Sequence, residues 1–189
     1  DLLWQSINPD LWEKTRNPWI TLTRTPKSDL STALSDPDTK ALIKASMARR
    51  KYELERRTWF TQKYPDSSLS EVAYFSMEFM LSEALPIYSG GLGNVAADQL
   101  KAASDLGVPV VAVGLLYAQG YFRQEITPEG TQKALYPFND PAHLPIQPVL
   151  TPDGEWFRLS VQTATGEIWL RAWKAVIGRA TLYLLATND

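Results

Sequence analysis

Glu71-Val72-Ala73-Tyr74-Phe75-Ser76 and Val110-Val111-Ala112-Val113 are two short apolar runs, and Gly90-Gly91-Leu92-Gly93 lies between them. Runs of this length bounded by turn residues read as buried strands. After the glycines, Leu92, Val95, Ala96, Leu100, Ala103 and Leu106 give one apolar helix face. Gly107, followed by Val108 and Pro109, supplies a left-handed cap and a stop. Strand, loop, helix, strand is the order of a βαβ unit, whose parallel strands are joined by a right-handed crossover. The expected fold class is therefore α/β.

Toward the N-terminus, Tyr64-Pro65-Asp66-Ser67-Ser68 is a break. A long helix is expected before it, opened by Ser35-Asp36-Pro37-Asp38 and running to about Lys63. Ala41, Ala45, Ala48, Tyr52 and Trp59 form its expected apolar stripe. Arg49-Arg50-Lys51 and Arg56-Arg57 interleave with Glu53 and Glu55 and read as a solvated face. Residues 1–35, punctuated by Pro9, Pro18 and Pro26, read as irregular, with Trp4, Trp12 and Trp19 packed into grooves. The chain thus divides into an N-terminal extension with one long helix, residues 1–70, and an α/β portion, residues 71–189.

Toward the C-terminus, Tyr121–Ile126 reads as a strand and Thr127-Pro128-Glu129-Gly130 as a turn. Pro137, Pro141, Pro145 and Pro148 mark residues 135–148 as an extended loop. Trp156–Thr163, Glu167–Val176 and Ala180–Leu185 read as three further strands. A sheet ending there would be half covered, as expected of part of a longer protein.

Of the 189 residues 44% are hydrophobic and 21% charged, and the formal charge is −2. This is a globular composition and not that of a disordered tail. It lacks the basic excess of a general nucleic-acid binder. No run approaches the length of a membrane span, and a cytoplasmic setting is the plain expectation. The absence of cysteine excludes disulfide scaffolds, thiolate zinc sites and cysteine nucleophiles. The single His143 excludes any two-histidine metal motif, so no metal is expected.

The chemistry is carried by Ser89-Gly90-Gly91-Leu92-Gly93. Glycines at a helix N-terminus let the backbone approach a ligand, the first amides have no helical partner, and the dipole favours an anion. A phosphate is the natural guest. A tight turn against the sheet is the alternative, and the residues alone leave both open. Gly91-x-Gly93-x-x-Ala96 formally satisfies the dinucleotide fingerprint. That reading is rejected, because about fourteen residues separate Ser76 from Gly91 and no acid occurs between Asp105 and Glu125 to hold a ribose. Glu78 and Glu83 lie in the loop after the first strand, where α/β sheets bind ligands. They read either as a carboxylate pair for glycoside cleavage or, preferentially, as hydrogen-bonded structural acids. His143 reads as structural or solvent-exposed.

Val72-Ala73-Tyr74-Phe75-Ser76-Met77-Glu78-Phe79, Leu85-Pro86-Ile87-Tyr88-Ser89-Gly90-Gly91-Leu92-Gly93, Ala103-Ser104-Asp105-Leu106-Gly107, Gly114-Leu115-Leu116-Tyr117 and Gly120-Tyr121-Phe122-Arg123-Gln124 follow in order. Together these blocks resemble the α-glucan (glycogen/maltodextrin) phosphorylases of the short bacterial type, and within them part of the N-terminal domain. The resemblance implies a partial Rossmann-like domain of a GT-B glycosyltransferase. It implies transfer of a terminal glucosyl unit from an α-1,4-glucan to orthophosphate, giving glucose 1-phosphate. It implies pyridoxal phosphate on a lysine of a second domain that is not among these residues, so this chain would hold no catalytic residue and be inactive alone. The carried-over site is Gly90, Gly91, Leu92 and Gly93, with the amides of Gly91 and Leu92 as phosphate or glucose contacts. The implied partners are glucan, orthophosphate and glucose 1-phosphate, with an oligomer left open. Two rivals remain. A glycogen or starch synthase would carry a lysine two residues before the Gly-Gly pair, where this chain has Tyr88. A non-catalytic glucan-binding module would keep the fold without turnover.

Overall fold

The computed structural model describes residues 1–187; Asn188 and Asp189, the end of the expected α/β portion, lie outside the described residues. Asp1–Arg57 is one compact unit, built from α1 (Leu2–Ile7), α2 (Pro9–Thr15), α3 (Pro18–Arg24), α4 (Lys27–Ser35) and α5 (Pro37–Glu55).

The irregular chain expected over residues 1–35 is thus helical. Its prolines start helices instead of breaking them. Pro9 and Pro18 begin α2 and α3, as Pro37 further on begins α5, where the missing N–H would have had no partner. Each follows a capping side chain. Asn8 Oδ1 accepts from the Leu11 amide at 3.0 Å, and Asn17 Oδ1 accepts from Trp19 and Ile20 at 3.0 and 3.2 Å. Asp36 accepts from the Thr39 amide at 2.7 Å, and this bond holds its carboxyl below the usual range. Trp12 is buried and Trp4 and Trp19 are half-buried, so the indoles do pack.

The long helix is shorter than expected. α5 ends at Glu55, and Thr58 starts α6 (Trp59–Lys63) through a reciprocal capping box with Thr61. The expected stripe of Ala41, Ala45, Ala48, Tyr52 and Trp59 is exposed. Thr39 is buried and Leu42 and Ile43 are half-buried instead, because α5 packs on α1 and α4 with its first turns. Arg49, Arg50 and Lys51 are exposed, as read.

The second unit begins at Thr58, whereas the sequence-based division stands at residue 70. Buried Thr58 lies against the C-cap of α7 (Gly91–Leu106). That cap is Gly107, at φ 72°, and a Cβ there would lie 2.1 Å from Thr58 Oγ1. α7 connects β1 (Val72–Phe75) to β2 (Val110–Leu115), and these strands are parallel, Val72 opposite Val110 and Phe75 opposite Val113. The expected strand–helix–strand order is therefore present.

A separate hairpin, β3 (Arg123–Ile126) with β4 (Gln132–Leu135), follows; β4 was not expected. The proline-rich stretch holds a 3₁₀ turn at Pro141–His143 and β5 (Gln147–Pro148). The three C-terminal strands are β6 (Arg158–Thr163), β7 (Gly166–Ile177) and β8 (Ala180–Ala186). The main sheet runs β1-β2-β8-β7-β5, with β6 also paired to β7. β8 is parallel to β2 and antiparallel to β7, so the fold is mixed α/β.

The core lies between one sheet face, α7 and the loop after β1. Phe79, Leu85 and Ile87 come from the loop, Ala96 and Leu100 from α7, and Ala112, Leu182 and Leu184 from the strands. Burying such side chains stabilises by about 1.5–3 kcal/mol each for the larger ones. Two expectations change here. On α7, Leu92, Val95 and Leu106 are exposed, and Gly93, Ala96, Ala97, Leu100, Ala103 and Ser104 face inward. On β1, Val72, Ala73 and Phe75 are exposed and only Tyr74 is half-buried. β1 is an edge strand, and the second sheet face is open, with Phe75, Val113, Tyr183 and Leu185 lining an apolar groove.

Candidate functional site: the glycine loop

In the βαβ unit the loop leaving β1 leads to the start of α7, the end of a parallel sheet at which ligands bind. Gly90 is the N-cap of α7, and no side chain caps the helix there. The amides of Gly91 and Leu92 stand at the first two helical positions, with no carbonyl one turn behind them. The Gly93 amide turns back to the Gly90 carbonyl at 3.3 Å.

The four expected site residues have two different surroundings. A Cβ on Gly90 or Gly91 would meet nothing within 4 Å, and Leu92 is exposed. A Cβ on Gly93 would lie 3.0 Å from Tyr88 Cβ, 3.2 Å from the Met80 nitrogen and 3.3 Å from Glu78 Oε2. Gly93 is therefore a packing glycine, and its carbonyl accepts from the Met80 amide at 2.9 Å. Gly90, Gly91 and Leu92 form the open part of the loop.

Glu78 closes one side of this loop. Its carboxylate accepts from Ser89 Oγ at 2.5 Å and from the Gly90 amide at 3.2 Å. The hydroxyl of Ser89, ahead of the opposing effect of burial, holds this carboxyl below the usual glutamate range, and the amides of Ser89, Gly90 and Gly93 act in the same direction. Glu78 is itself anchored, since Ser76 Oγ donates to its carbonyl at 2.9 Å. Glu83 is engaged elsewhere, accepting from the Tyr88 hydroxyl at 3.2 Å. Burial and then the Glu83 charge raise the Tyr88 phenol. Each acid thus has its own hydrogen-bond partners, the structural reading of the two.

A second anchor is Asn139, which sequence reasoning did not single out. Its Nδ2 donates to the Pro86 carbonyl at 3.2 Å and to the Tyr117 carbonyl at 3.1 Å, and its amide donates to Ala118 at 2.7 Å. It ties the loop after β1 to the chain leaving β2. No local signal marks such a residue, because its partner Pro86 is 53 positions away. Ser89 and Tyr117 were also missed as neighbours of Glu78; burial first, then the Glu78 charge, raises the Tyr117 phenol. His143 is exposed, with Nδ1 3.4 Å from Asp140 Oδ2. Among the described residues no three metal-ligating side chains converge, and no helix is long and apolar enough to cross a membrane.

A sequence-family profile described as a protein of unknown function, DUF3417, matches residues 1–85. Maltodextrin phosphorylase of Thermococcus litoralis is 40% identical over 98% of this chain and 22% of its own length. Glycogen phosphorylase of Mycobacterium tuberculosis is 38% identical over 98% of this chain and 22% of its own length. Glycogen phosphorylase of Aquifex aeolicus is 36% identical over 98% of this chain and 26% of its own length. The chain spans about a quarter or less of the length of these curated relatives. Along nearly its whole length it is homologous to a segment of proteins named maltodextrin or glycogen phosphorylase.

Proposed function

We propose that this chain is the glycine-loop wall of the active site of a cytoplasmic α-glucan phosphorylase. The complete enzyme transfers the terminal glucosyl unit of an α-1,4-glucan to orthophosphate and releases glucose 1-phosphate. The mixed sheet belongs to the first of two Rossmann-like domains that face across a cleft in the GT-B arrangement. The observation that carries the reading is the open start of α7 in a chain homologous to phosphorylases: beyond the adjoining backbone, no atom lies within 4 Å of a Cβ placed on Gly90 or Gly91.

The residues present fit an oxyanion guest. Gly91 and Leu92 offer two adjacent amides at the positive end of a 16-residue helix. Such donors, fixed before the reaction, stabilise developing charge without reorganising. The absence of side chains at Gly90 and Gly91 lets a sugar or phosphate reach the backbone. In this reading the cofactor lysine lies outside this chain. Pyridoxal phosphate, when bound there, supplies a phosphate group for proton exchange with the substrate phosphate. The loop's part is to bind and orient; no residue of this chain is assigned a covalent role.

The test is release of glucose 1-phosphate from maltodextrin by the complete polypeptide, with orthophosphate and pyridoxal phosphate each added or withheld. Release that needs both is the expected result. No release from folded, cofactor-loaded protein overturns the reading, and nucleotide-sugar donors then become the substrates to try. Gly91→Val probes the loop itself. A Cβ at Gly91 meets nothing beyond the adjoining backbone, so folding is expected to be retained while turnover falls by about 10²-fold or more.

A further inference from the structure

We propose that Glu78 is a positioning residue for this loop: by bridging Ser89 Oγ and the Gly90 amide, it fixes the direction in which the Gly91 and Leu92 amides point. The inference rests on the phosphorylase reading above and adds a residue to it.

The geometry is specific. Both carboxylate oxygens are used, Oε1 by Ser89 at 2.5 Å and Oε2 by Gly90 at 3.2 Å. These are the two residues immediately before the first turn of α7. Oε2 also lies 3.3 Å from where a Cβ on Gly93 would be, so the carboxylate packs close against the bare backbone of the helix start. Glu78 is fixed from behind by Ser76, which donates to its carbonyl and stands within 3.4 Å of its amide. This side chain links the segment after β1 to the two residues ahead of α7, beside the backbone bond from Met80 to Gly93. Its charge also matters. A carboxylate at a helix N-terminus already takes part of the favourable dipole field, and it sits next to the place assigned to an anion. The acid is therefore tolerated for its geometry, and its charge opposes the guest.

Geometry and charge are separated by two variants. Glu78→Ala removes both. Glu78→Gln keeps a carbonyl for the Gly90 amide and offers its NH₂ group to Ser89 Oγ, without the charge. Each is assayed in the complete, pyridoxal-phosphate-loaded polypeptide for the KM of orthophosphate, the KM of maltodextrin and kcat. Hydrogen exchange of the peptide spanning residues 77–94 is read in parallel by mass spectrometry. Glu78→Ala is expected to raise the KM for orthophosphate roughly ten- to hundredfold, with the KM for maltodextrin within about twofold and faster exchange in the loop. Glu78→Gln is expected to restore the orthophosphate KM to the wild-type value or below it, with exchange close to wild type.

An unchanged orthophosphate KM in Glu78→Ala overturns the proposal. So does an equal rise in both KM values with a lowered thermal midpoint, which marks a merely structural acid. A Glu78→Gln variant as impaired as Glu78→Ala shows that the charge is required and overturns it as well. If the wild type releases no glucose 1-phosphate, the phosphorylase reading fails first. Loop exchange in the variants then still decides whether Glu78 holds the loop.

Discussion

The carboxylate of Glu78 packs closely against Gly93, with Oε2 3.3 Å from where a Cβ there would lie. The bare backbone of Gly93 thus leaves the carboxylate unpressed where it bonds Ser89 and Gly90.

This relationship separates two glycines that lie two positions apart. Gly93→Ala forces Tyr88, the Met80 backbone or Glu78 to move, and over-packing of this kind costs about 1–3 kcal/mol. Gly91→Ala meets no atom within 4 Å beyond the adjoining backbone, and alanine is the better helix former. Urea unfolding should show loss of stability for Gly93→Ala and none for Gly91→Ala. Equal effects would mean that the loop is not packed as described.

The C-terminal end of α7 gives a second expectation. Gly107 has φ 72°, and a Cβ there would fall 2.1 Å from Thr58 Oγ1. Gly107→Ala combines a left-handed backbone penalty of about 1–2 kcal/mol with displacement of buried Thr58. Its denaturation midpoint should drop markedly, and hydrogen exchange should quicken in α6 as well as at the end of α7. A variant as stable as wild type would refute the contact.

Asn139→Ala tests the anchor between the two site segments. It leaves the carbonyls of Pro86 and Tyr117 without their donor, at a cost of about 1–3 kcal/mol. Exchange should quicken in residues 77–89 and near Tyr117 more than in β7 or β8. A uniform change across the sheet would argue that Asn139 contributes only to global stability.

Acid should remove the charge-dependent part of the stability that Glu78 contributes, while its neutral carboxyl keeps the bridge that orients the loop. Its pKa is lowered in the folded state, first by the Ser89 hydrogen bond. Its contribution is therefore full above the ordinary glutamate value of about 4.3 and is lost as pH falls through the lowered folded value. Tyr117 also feels Glu78, and it stays neutral in this window. The stability difference between wild type and Glu78→Gln should hold constant near neutrality and shrink in acid. Asp36 and Glu129 are also lowered, but they act equally in both proteins and cancel. A difference that does not change down to about pH 3 would exclude a contribution from the Glu78 charge.

Much of the βαβ unit was legible because its signals are local. The glycine that ends α7, the turn residues between β7 and β8 and the apolar runs of β1 and β2 act over a few positions. The helices of residues 1–35 were misread for the opposite reason. Pro9 and Pro18 suit a loop and a first helical position equally, and the distinction rests on Asn8 and Asn17 reaching forward to cap. The stripe expected on α5 failed because spacing names a helix face without saying which neighbour covers it. Leu92 and Val95 failed likewise on α7.

By itself the sequence determined the α/β class, the placement of the glycine loop at the start of α7 and the resemblance that its relatives bear out. The assembled fold set β8 beside β2 and made Gly93 a packing glycine while Gly91 stays open. It alone brought Asn139 to Pro86, 53 positions apart, and Arg179 to Ser104, 75 positions apart. Capping and periodicity are set by residues within about one turn of each other. Close approach is set by whichever surfaces the whole chain brings into contact, and no window of sequence contains that information.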